Sequence, residues 1–306
     1  MNCLNGERYL RQAIDSVFSQ TYKEWEIIFW DNGSTDGSGE IAKSYGNRIH
    51  YFRNEKTQVL GKARNLCMAQ AKGDYIAFLD CDDMWFPQKL EKQIPLFERD
   101  NEVNLVFSDV VFFNEHGYIS QNYLKFKPPR GKIFKELLRK YFLSIASVVL
   151  RRSAIQGFSW FDERIQQMED TCFFLRLAYR YKLDYCDEPL VKYRVRPDSW
   201  SIIGFEHLPY ERNLILKILI DEFPNLKKEH VQEIKIFQTK TNALQAINEW
   251  TNKNPGNARR ILKNTRFKTT LIYALFFITF LPTSTFKVLL VLNYKIKNWI
   301  NCYKFG

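Results

Sequence analysis

The chain of 306 residues is 45% hydrophobic and 26% charged, which excludes a disordered polymer and gives length for one large domain or one domain with a helical appendage. Its net charge of +11 is concentrated: from residue 251 onward there are ten Lys and Arg and no Asp or Glu, so the body is close to neutral. That placement argues against a nucleic-acid surface and, because the same stretch is apolar, for contact with anionic lipid.

Taken in order, Glu7 to Ser19 carries Tyr9, Leu10, Ile14, Val17 and Phe18 at helical spacing. Glu26 to Trp30 reads as a strand that runs out into the polar turn Asp31-Asn32-Gly33-Ser34-Thr35-Asp36-Gly37. Ile41 to Tyr45 predicts a second helix, Ile49 to Arg53 a strand, Val59 to Ala71 a third helix, and Tyr75 to Leu79 a buried strand ending at Asp80-Cys81-Asp82-Asp83. Pro87 opens a helix to Asp100, and Leu105 to Ser108 is the next strand. Strands alternating with helices at this spacing predict a parallel α/β sheet, whose ligands lie beyond the carboxyl ends of the strands. The turns at 31–37 and 80–83 both fall there.

Beyond residue 108 the pattern is mixed. Val110 to Phe113 and Tyr118 to Ser120 bracket a hairpin; Ile133 to Phe142 predicts a short helix, Ile145 to Leu150 a strand, Asp170 to Tyr181 a helix and Leu190 to Val195 a strand. Residues 206–250 read as helix broken near Phe223-Pro224-Asn225. The expected organisation is an α/β domain over 1–205, with an alternating half at 1–108 and a mixed half at 109–205. A helical extension follows at 206–260 and a basic, apolar tail at 261–306. Six scattered cysteines without a C-x-x-C pair argue against structural zinc and for a reducing compartment, and no secretory signal opens the chain.

Asp80 and Asp82, two apart on what reads as an extended segment, are expected to point to one side. Paired oxygens suit a hard divalent ion, and Mg²⁺ takes only one or two protein carboxylates, leaving its other positions to water and phosphate. An acidic loop, or a cap for the helix after Pro87, fits the same residues.

Five segments in order resemble the family 2 glycosyltransferases of GT-A fold. They are Asn5-Gly6-Glu7-Arg8-Tyr9-Leu10; Asp31-Asn32-Gly33-Ser34-Thr35-Asp36; Gly61-x-Ala63-Arg64-Asn65; Gly73 to Trp85 around Asp80-x-Asp82-Asp83; and Met168-Glu169-Asp170 opening a helix with Arg176. The resemblance covers the first two-thirds of the chain. It implies an α/β fold, a GT-A-type nucleotide-binding mixed sheet flanked by helices. The implied reaction is inverting transfer of a sugar from a nucleotide-diphosphate sugar, UDP-linked in the first place, to a hydroxyl of a glycan or lipid-linked glycan in cell-surface polysaccharide synthesis.

The resemblance also assigns roles. Asp31 and Asn32 would hold the nucleoside, although either also fits an Asx-turn. Arg64, with Lys62 near it, would face the diphosphate. Asp82 would coordinate Mn²⁺ or Mg²⁺, with Asp80 on the ribose or on the metal; the cation offsets charge developing on the leaving phosphate. Asp170 would be the base that takes the acceptor proton. Glu169 beside it would bind acceptor hydroxyls, and because adjacent helix positions diverge by about 100° only one of the two aims at the reaction centre. Two acidic residues stabilising a helix N-terminus are the structural alternative.

There are two departures from the family pattern. In Tyr193-Arg194-Val195-Arg196-Pro197-Asp198-Ser199, Arg196 stands where His is commoner; it cannot ligate a metal but can pair with a diphosphate oxygen. His50, His116, His207 and His230 lie outside the motifs and read as structural or exposed. Relatives also carry an apolar strand just before the segment matched by Asn2 to Gly6, and Met1 falls at its interior or end. The first central strand is therefore expected to be missing, leaving two unpaired edges, and a form extended upstream is expected to be more stable and more active.

Leu271 to Leu281 is apolar but for Thr279, and Val288 to Leu292 is a second run after Pro282. Neither reaches the ~20 residues of a span, so a re-entrant or interfacial pair is expected, with basic flanks, Tyr294 and Trp299 at the headgroups. This implies a cytoplasmic enzyme peripheral on the inner face of the cell membrane; packing of these helices on the catalytic domain is the alternative. A nucleotidyltransferase would need a Gly-rich phosphate loop that the chain does not display. A non-catalytic or truncated sugar-nucleotide or lipid-binding protein is the reading from another class.

Overall fold

Helix and strand alternate through the first third of the chain in the computed structural model, which describes residues 1–122, 126–157, 160–196, 205–265 and 269–282. The chain divides into two units, residues 1–134 with 143–197 and residues 135–142 with 198–306. The first unit opens with β1 (Asn2–Cys3), α1 (Glu7–Phe18), β2 (Ile27–Asp31), α2 (Ser38–Lys43), β3 (Ile49–Arg53), α3 (Leu60–Met68) and β4 (Tyr75–Ala77). One face of α1 buries Tyr9, Leu10, Ala13, Ile14 and Val17 at the expected spacing. β2 is buried along its whole length, which is why its sequence is an unbroken apolar run rather than an alternation. β1, β2 and β3 are parallel neighbours in that order, with Asn2 opposite Trp30 and Asp31 opposite Arg53.

β5 (Met84–Trp85), α4 (Lys89–Arg99), β6 (Val103–Asn114), β7 (Gly117–Gln121), α5 (Phe134–Arg139), β8 (Val149–Arg151), α6 (Glu169–Arg180) and β9 (Lys182–Arg194) follow. Their sheet has the order β4-β8-β6-β9-β5, with β7 added on β6; only β6 and β9 run parallel. Three expectations are corrected. The runs at 105–108 and 110–113 are one strand, β6, and the run at 190–195 belongs to a strand that begins at Lys182. Pro189, which has no N–H to give to a ladder, sits where the β6/β9 register shifts. The run at 145–150 is split, because Ser147 N–H and Oγ both bond the Ser144 carbonyl and close a 3₁₀ turn over Ile145–Ser147 before β8.

β4 does not continue the parallel order from β2. The link between the two sheets is a bridge of Asn2 with Asp80, so the lane between β2 and β4 is filled only at its carboxyl end, by β1. The strand expected to be missing from this lane is therefore represented by β1, over two residues. The Met1 ammonium donates to the Ile28 carbonyl at 2.7 Å, and Trp30 N–H donates to the Met1 carbonyl at 2.8 Å. The rest of the lane is a cleft of about 490 Å³ walled by Ile27 and Ile28 on one bank, Tyr75 to Leu79 on the other, and Val17, Leu90 and Ile94.

The second unit is helical and takes in residues 135–139 of α5 together with α7 (Leu208–Glu222), α8 (Leu226–Glu229), α9 (Val231–Thr251), α10 (Pro255–Asn264) and α11 (Thr270–Ile278). Its core joins Ala243, Ala246, Ile247 and Trp250 of α9 to Ala258, Leu262, Ile272 and Leu275. The apolar run at 271–281 therefore packs one side of α11 inside this unit, while Tyr273, Phe277, Phe280 and Leu281 stay exposed. No described helix is long and apolar enough to cross a membrane. Val288 to Leu292, Tyr294 and Trp299 lie outside the described residues.

Candidate active site

The turn after β2 is locked to the segment that precedes α1. Asn5 N–H donates to Ser34 Oγ, Gly6 N–H to Ser38 Oγ and Thr35 N–H to Asn5 Oδ1, while Glu7 accepts from Gly37 N–H. Asp31 lies wholly inside this knot. Its Oδ1 accepts from Ser34 N–H at 2.7 Å, and its Oδ2 from the Tyr51 hydroxyl at 2.7 Å and Arg53 at 3.0 Å. Burial alone would raise its pKa, but these donors outweigh it and hold the carboxyl below the usual range. Asn32 is equally committed: Nδ2 donates to the Gln58 carbonyl, and Oδ1 accepts from Asn54 and from Gln58 N–H. Both oxygens of Asp31 are thus engaged by the chain itself, and its direct work is to order the turn.

Arg64, buried on α3, connects the next two segments. Gly61 on the same helix gives the closeness this needs: a Cβ there would meet the Asp162 carbonyl oxygen at 3.3 Å and Phe161 Cβ at 3.4 Å. Asn65 pins that loop from below, donating to the Phe161 carbonyl and accepting from its N–H, both at 2.9 Å. Arg64 then reaches Asp80 at 3.0 Å with one amino group and Glu169 with the other. Burial would lower the guanidinium pKa, but Asp80, Glu169 and Asp170 together raise it, so the charge is fixed.

Glu169 and Asp170 open α6, and the two separate as adjacent helix positions must. Glu169 is 3% exposed and tied to Arg64, and its Oε2 is buried with no hydrogen-bond partner. Burial pushes its carboxyl up to about 8 against the pull of Arg64, with Asp170 adding to the rise. Asp170 is partly exposed, and Thr171 N–H donates to its Oδ1 at 2.6 Å. Burial raises its pKa as well, with Arg64 and Thr171 opposing.

The acidic segment is a turn rather than the extended strand expected: β4 ends at Ala77, and Asp83 N–H donates to the Asp80 carbonyl at 3.3 Å. Asp82 faces Arg196, which pairs with its Oδ2 at 3.1 Å. Burial and Asp80 raise the pKa of Asp82 more than Arg196 lowers it. Asp83 is buried and does not cap a helix. It accepts from Arg194 N–H at 2.9 Å, while the Arg194 side chain donates to the Asp82 carbonyl and to Gln12. Burial, Asp82 and Asp80 push its carboxyl well up.

Asp80 and Asp82 fit a hard divalent cation that uses one or two protein carboxylates. Both are partly open, with side chains 32% and 21% exposed. Among the described residues no group of three or more His, Cys, Asp or Glu closes a metal site unaided, so phosphate and water would complete the shell.

The structure thus brings Asp80, Arg64, Glu169 and Asp170 together and joins Arg196 to Asp82, whereas Asp31 and Asn32 turn inward. Sequence reading missed Tyr51, Arg53 and Arg194. Tyr51 and Arg53 alternate along β3 beside Asp31, a period-two pair detectable once β2 and β3 are set in register.

Comparison with known proteins gives a coherent picture. The family model described as Glycosyl transferase family 2 matches residues 1–158. The putative glycosyltransferase EpsE of Bacillus subtilis (strain 168) is 33% identical over 241 residues, covering 74% of this chain and 85% of its own. The UDP-Glc:alpha-D-GlcNAc-diphosphoundecaprenol beta-1,3-glucosyltransferase WfgD of Escherichia coli is 30% identical over 211 residues, covering 68% and 80%. In fold, S. aureus TarS 1-349 in complex with UDP-GlcNAc is similar with a TM-score of 0.65 at 18% identity, over 90% of this chain and 82% of its own. The mannosyltransferase PcManGT from Pyrobaculum calidifontis in complex with GDP-Man and Mn²⁺ is similar with a TM-score of 0.58 at 14% identity, over 99% and 82%.

Proposed function

Taking as premise that this chain belongs to glycosyl transferase family 2 and is a glycosyltransferase, we propose that it moves a sugar from a UDP-linked donor to a hydroxyl of a lipid-linked glycan, with inversion, for cell-surface polysaccharide. The donor proposal draws on the UDP-GlcNAc held by TarS and the UDP-Glc in the name of WfgD; the acceptor proposal draws on the diphosphoundecaprenol in that same name. The observation that carries the reading is Arg64: one buried guanidinium joins the acidic turn at Asp80 to the helix that bears Glu169 and Asp170.

In this mechanism the nucleoside lies against the turn that Asp31 and Asn32 hold rigid. The diphosphate is drawn to the guanidinium groups of Arg64 and Arg196. Asp82, with Asp80, would hold Mn²⁺ or Mg²⁺, which when bound supplies positive charge against the leaving phosphate. Asp170 takes the proton from the acceptor hydroxyl; its partly open carboxylate suits this better than Glu169, which Arg64 already holds. The unpartnered Oε2 of Glu169 is the acceptor for a substrate hydroxyl. Residues 109–205 form the acceptor side. The exposed Tyr273, Phe277, Phe280 and Leu281, with Arg259 over the Phe280 ring, are the peripheral contact with anionic lipid on the cytoplasmic face.

A screen of UDP-, GDP- and dTDP-sugars with Mn²⁺ or Mg²⁺ tests the donor, scored by binding and by hydrolysis. Asp170→Asn tests the base: retained donor binding with lost transfer supports its role, and unchanged transfer removes Asp170 from the mechanism.

A further inference from the structure

Cys81 stands between Asp80 and Asp82, and Cys3 stands on β1; nothing in the mechanism above uses either. The backbone nevertheless sets them side by side. Asn2 bridges Asp80 in parallel, and Cys3 and Cys81 are the residues that directly follow the two bridged positions.

The side chains agree. A Cβ on Gly6 would lie 2.7 Å from Cys81 Sγ and 2.8 Å from Cys3 Sγ, so both sulfurs fill the one space that a missing side chain leaves. Gly6 has an ordinary φ of −100°, so that space is what its lack of a side chain provides here. Cys67 and Cys186, by contrast, donate to the main-chain carbonyls of Ile28 and Lys92.

We infer that Cys3 and Cys81 form a reversible disulfide that locks the acidic turn to β1. The oxidant is a small-molecule disulfide such as oxidised glutathione. Cys81, the more exposed of the two, attacks one of its sulfurs; that S–S bond breaks and one glutathione leaves. Cys3 then attacks Cys81 Sγ of the mixed disulfide and releases the second. Two electrons pass from the protein thiols to the small disulfide, and their two protons end on two reduced glutathiones. The new S–S bond of about 2.05 Å draws Cys81 toward β1 and changes the reach of Asp80 and Asp82 on either side. That consequence for the donor rests on the function proposed above; the bond itself does not.

The test takes the reduced full chain through glutathione redox buffers, blocks free thiols and digests it with trypsin without reduction. A cross-link between peptides 1–8 and 73–89, lost on adding dithiothreitol, is the expected result. Mn²⁺-dependent UDP binding is expected to weaken about tenfold in the oxidised protein, as when groups beside metal ligands are disturbed, and to recover on reduction. Cys81→Ser is expected to bind UDP as the reduced protein does and to ignore the oxidant. Recovery of Cys3 and Cys81 only as free thiols or single glutathione adducts overturns the proposal, as does a cross-linked protein with unchanged UDP affinity. If the reduced chain binds no UDP, the peptide map alone decides the disulfide, and it is the donor reading that fails.

Discussion

The carboxylates that follow β2 and those that follow β4 occupy equivalent places at the ends of their strands, yet their chemistry is opposite. Asp31 has every oxygen engaged and a pKa below the usual range, whereas Asp82 and Asp83 after β4, and with them Asp170 at the start of α6, are pushed above it by burial that their donors do not offset. A satisfied carboxylate is part of the scaffold; an under-satisfied one in a partly open position has capacity left for a cation or a hydroxyl. Exposure separates the second group further, since Asp83 is buried where Asp82 and Asp170 are not.

The largest effect expected is on Asp170, the partly open carboxylate assigned the acceptor proton: Asp170→Asn should lower transfer by about 10²–10⁴-fold with thermal stability unchanged, measured by initial rates and melting. A matching loss of stability would place Asp170 with Asp31 and dissolve the contrast. Next is Asp31→Ala, which strands the Tyr51 hydroxyl, Ser34 N–H and Arg53 and should cost about 2–3 kcal/mol in urea unfolding. Asp82→Asn, by the same assay, should stay within about 0.5 kcal/mol while weakening Mn²⁺-dependent UDP binding at least about tenfold.

The two banks of the cleft offer a third way to sharpen the comparison, because β2 carries one kind of carboxylate and β4 leads to the other. A short apolar segment fused ahead of Met1 is expected to run down the lane between them and raise the melting temperature by about 5 °C or more. An unchanged melting temperature and unchanged turnover would show that the cleft takes no strand.

The smallest effect is on pH dependence, and its sign differs between the two sets. Asp31, depressed in the fold, contributes stability that is complete above the ordinary carboxylate range and is lost as pH falls through its folded pKa. Asp83, raised in the fold, contributes stability at acid pH that is lost as pH rises through its folded pKa. Asp83→Asn keeps an acceptor for Arg194 N–H and should therefore be more stable than the wild type at pH 7 in urea unfolding. That gain should vanish near pH 3, where the wild-type carboxyl is protonated in both states. A gain independent of pH would show that charge is not the cause.

Local periodicity was a good guide to α1, β2, β3 and α6, each within a residue or two, because their apolar spacing is itself the packing constraint. The juxtaposition of Asp80, Arg64 and Glu169 came from the family pattern; no periodicity relates residues so far apart in the chain. What could not be read was whatever depends on register or on a neighbouring strand: the donors around Asp31, the grip of Arg194 on Asp83, and the turn that replaces an extended acidic segment. The 3₁₀ turn at Ile145–Ser147 escaped because its apolar residues read as strand, while the serine hydrogen bonds that bend it leave no periodic trace.

Arg64 has a further consequence, for the order in which the molecule is made. A guanidinium this buried is tolerable only when both of its anions are in place, and one of them arrives with α6, late in the chain. A chain interrupted before Glu169 would hold Arg64 against Asp80 alone, so the acidic turn reaches its final electrostatic state only as α6 docks. Folding of that helix and filling of the turn then share one equilibrium, and amide exchange along α6 should slow when a nucleotide is bound at the other end of Arg64.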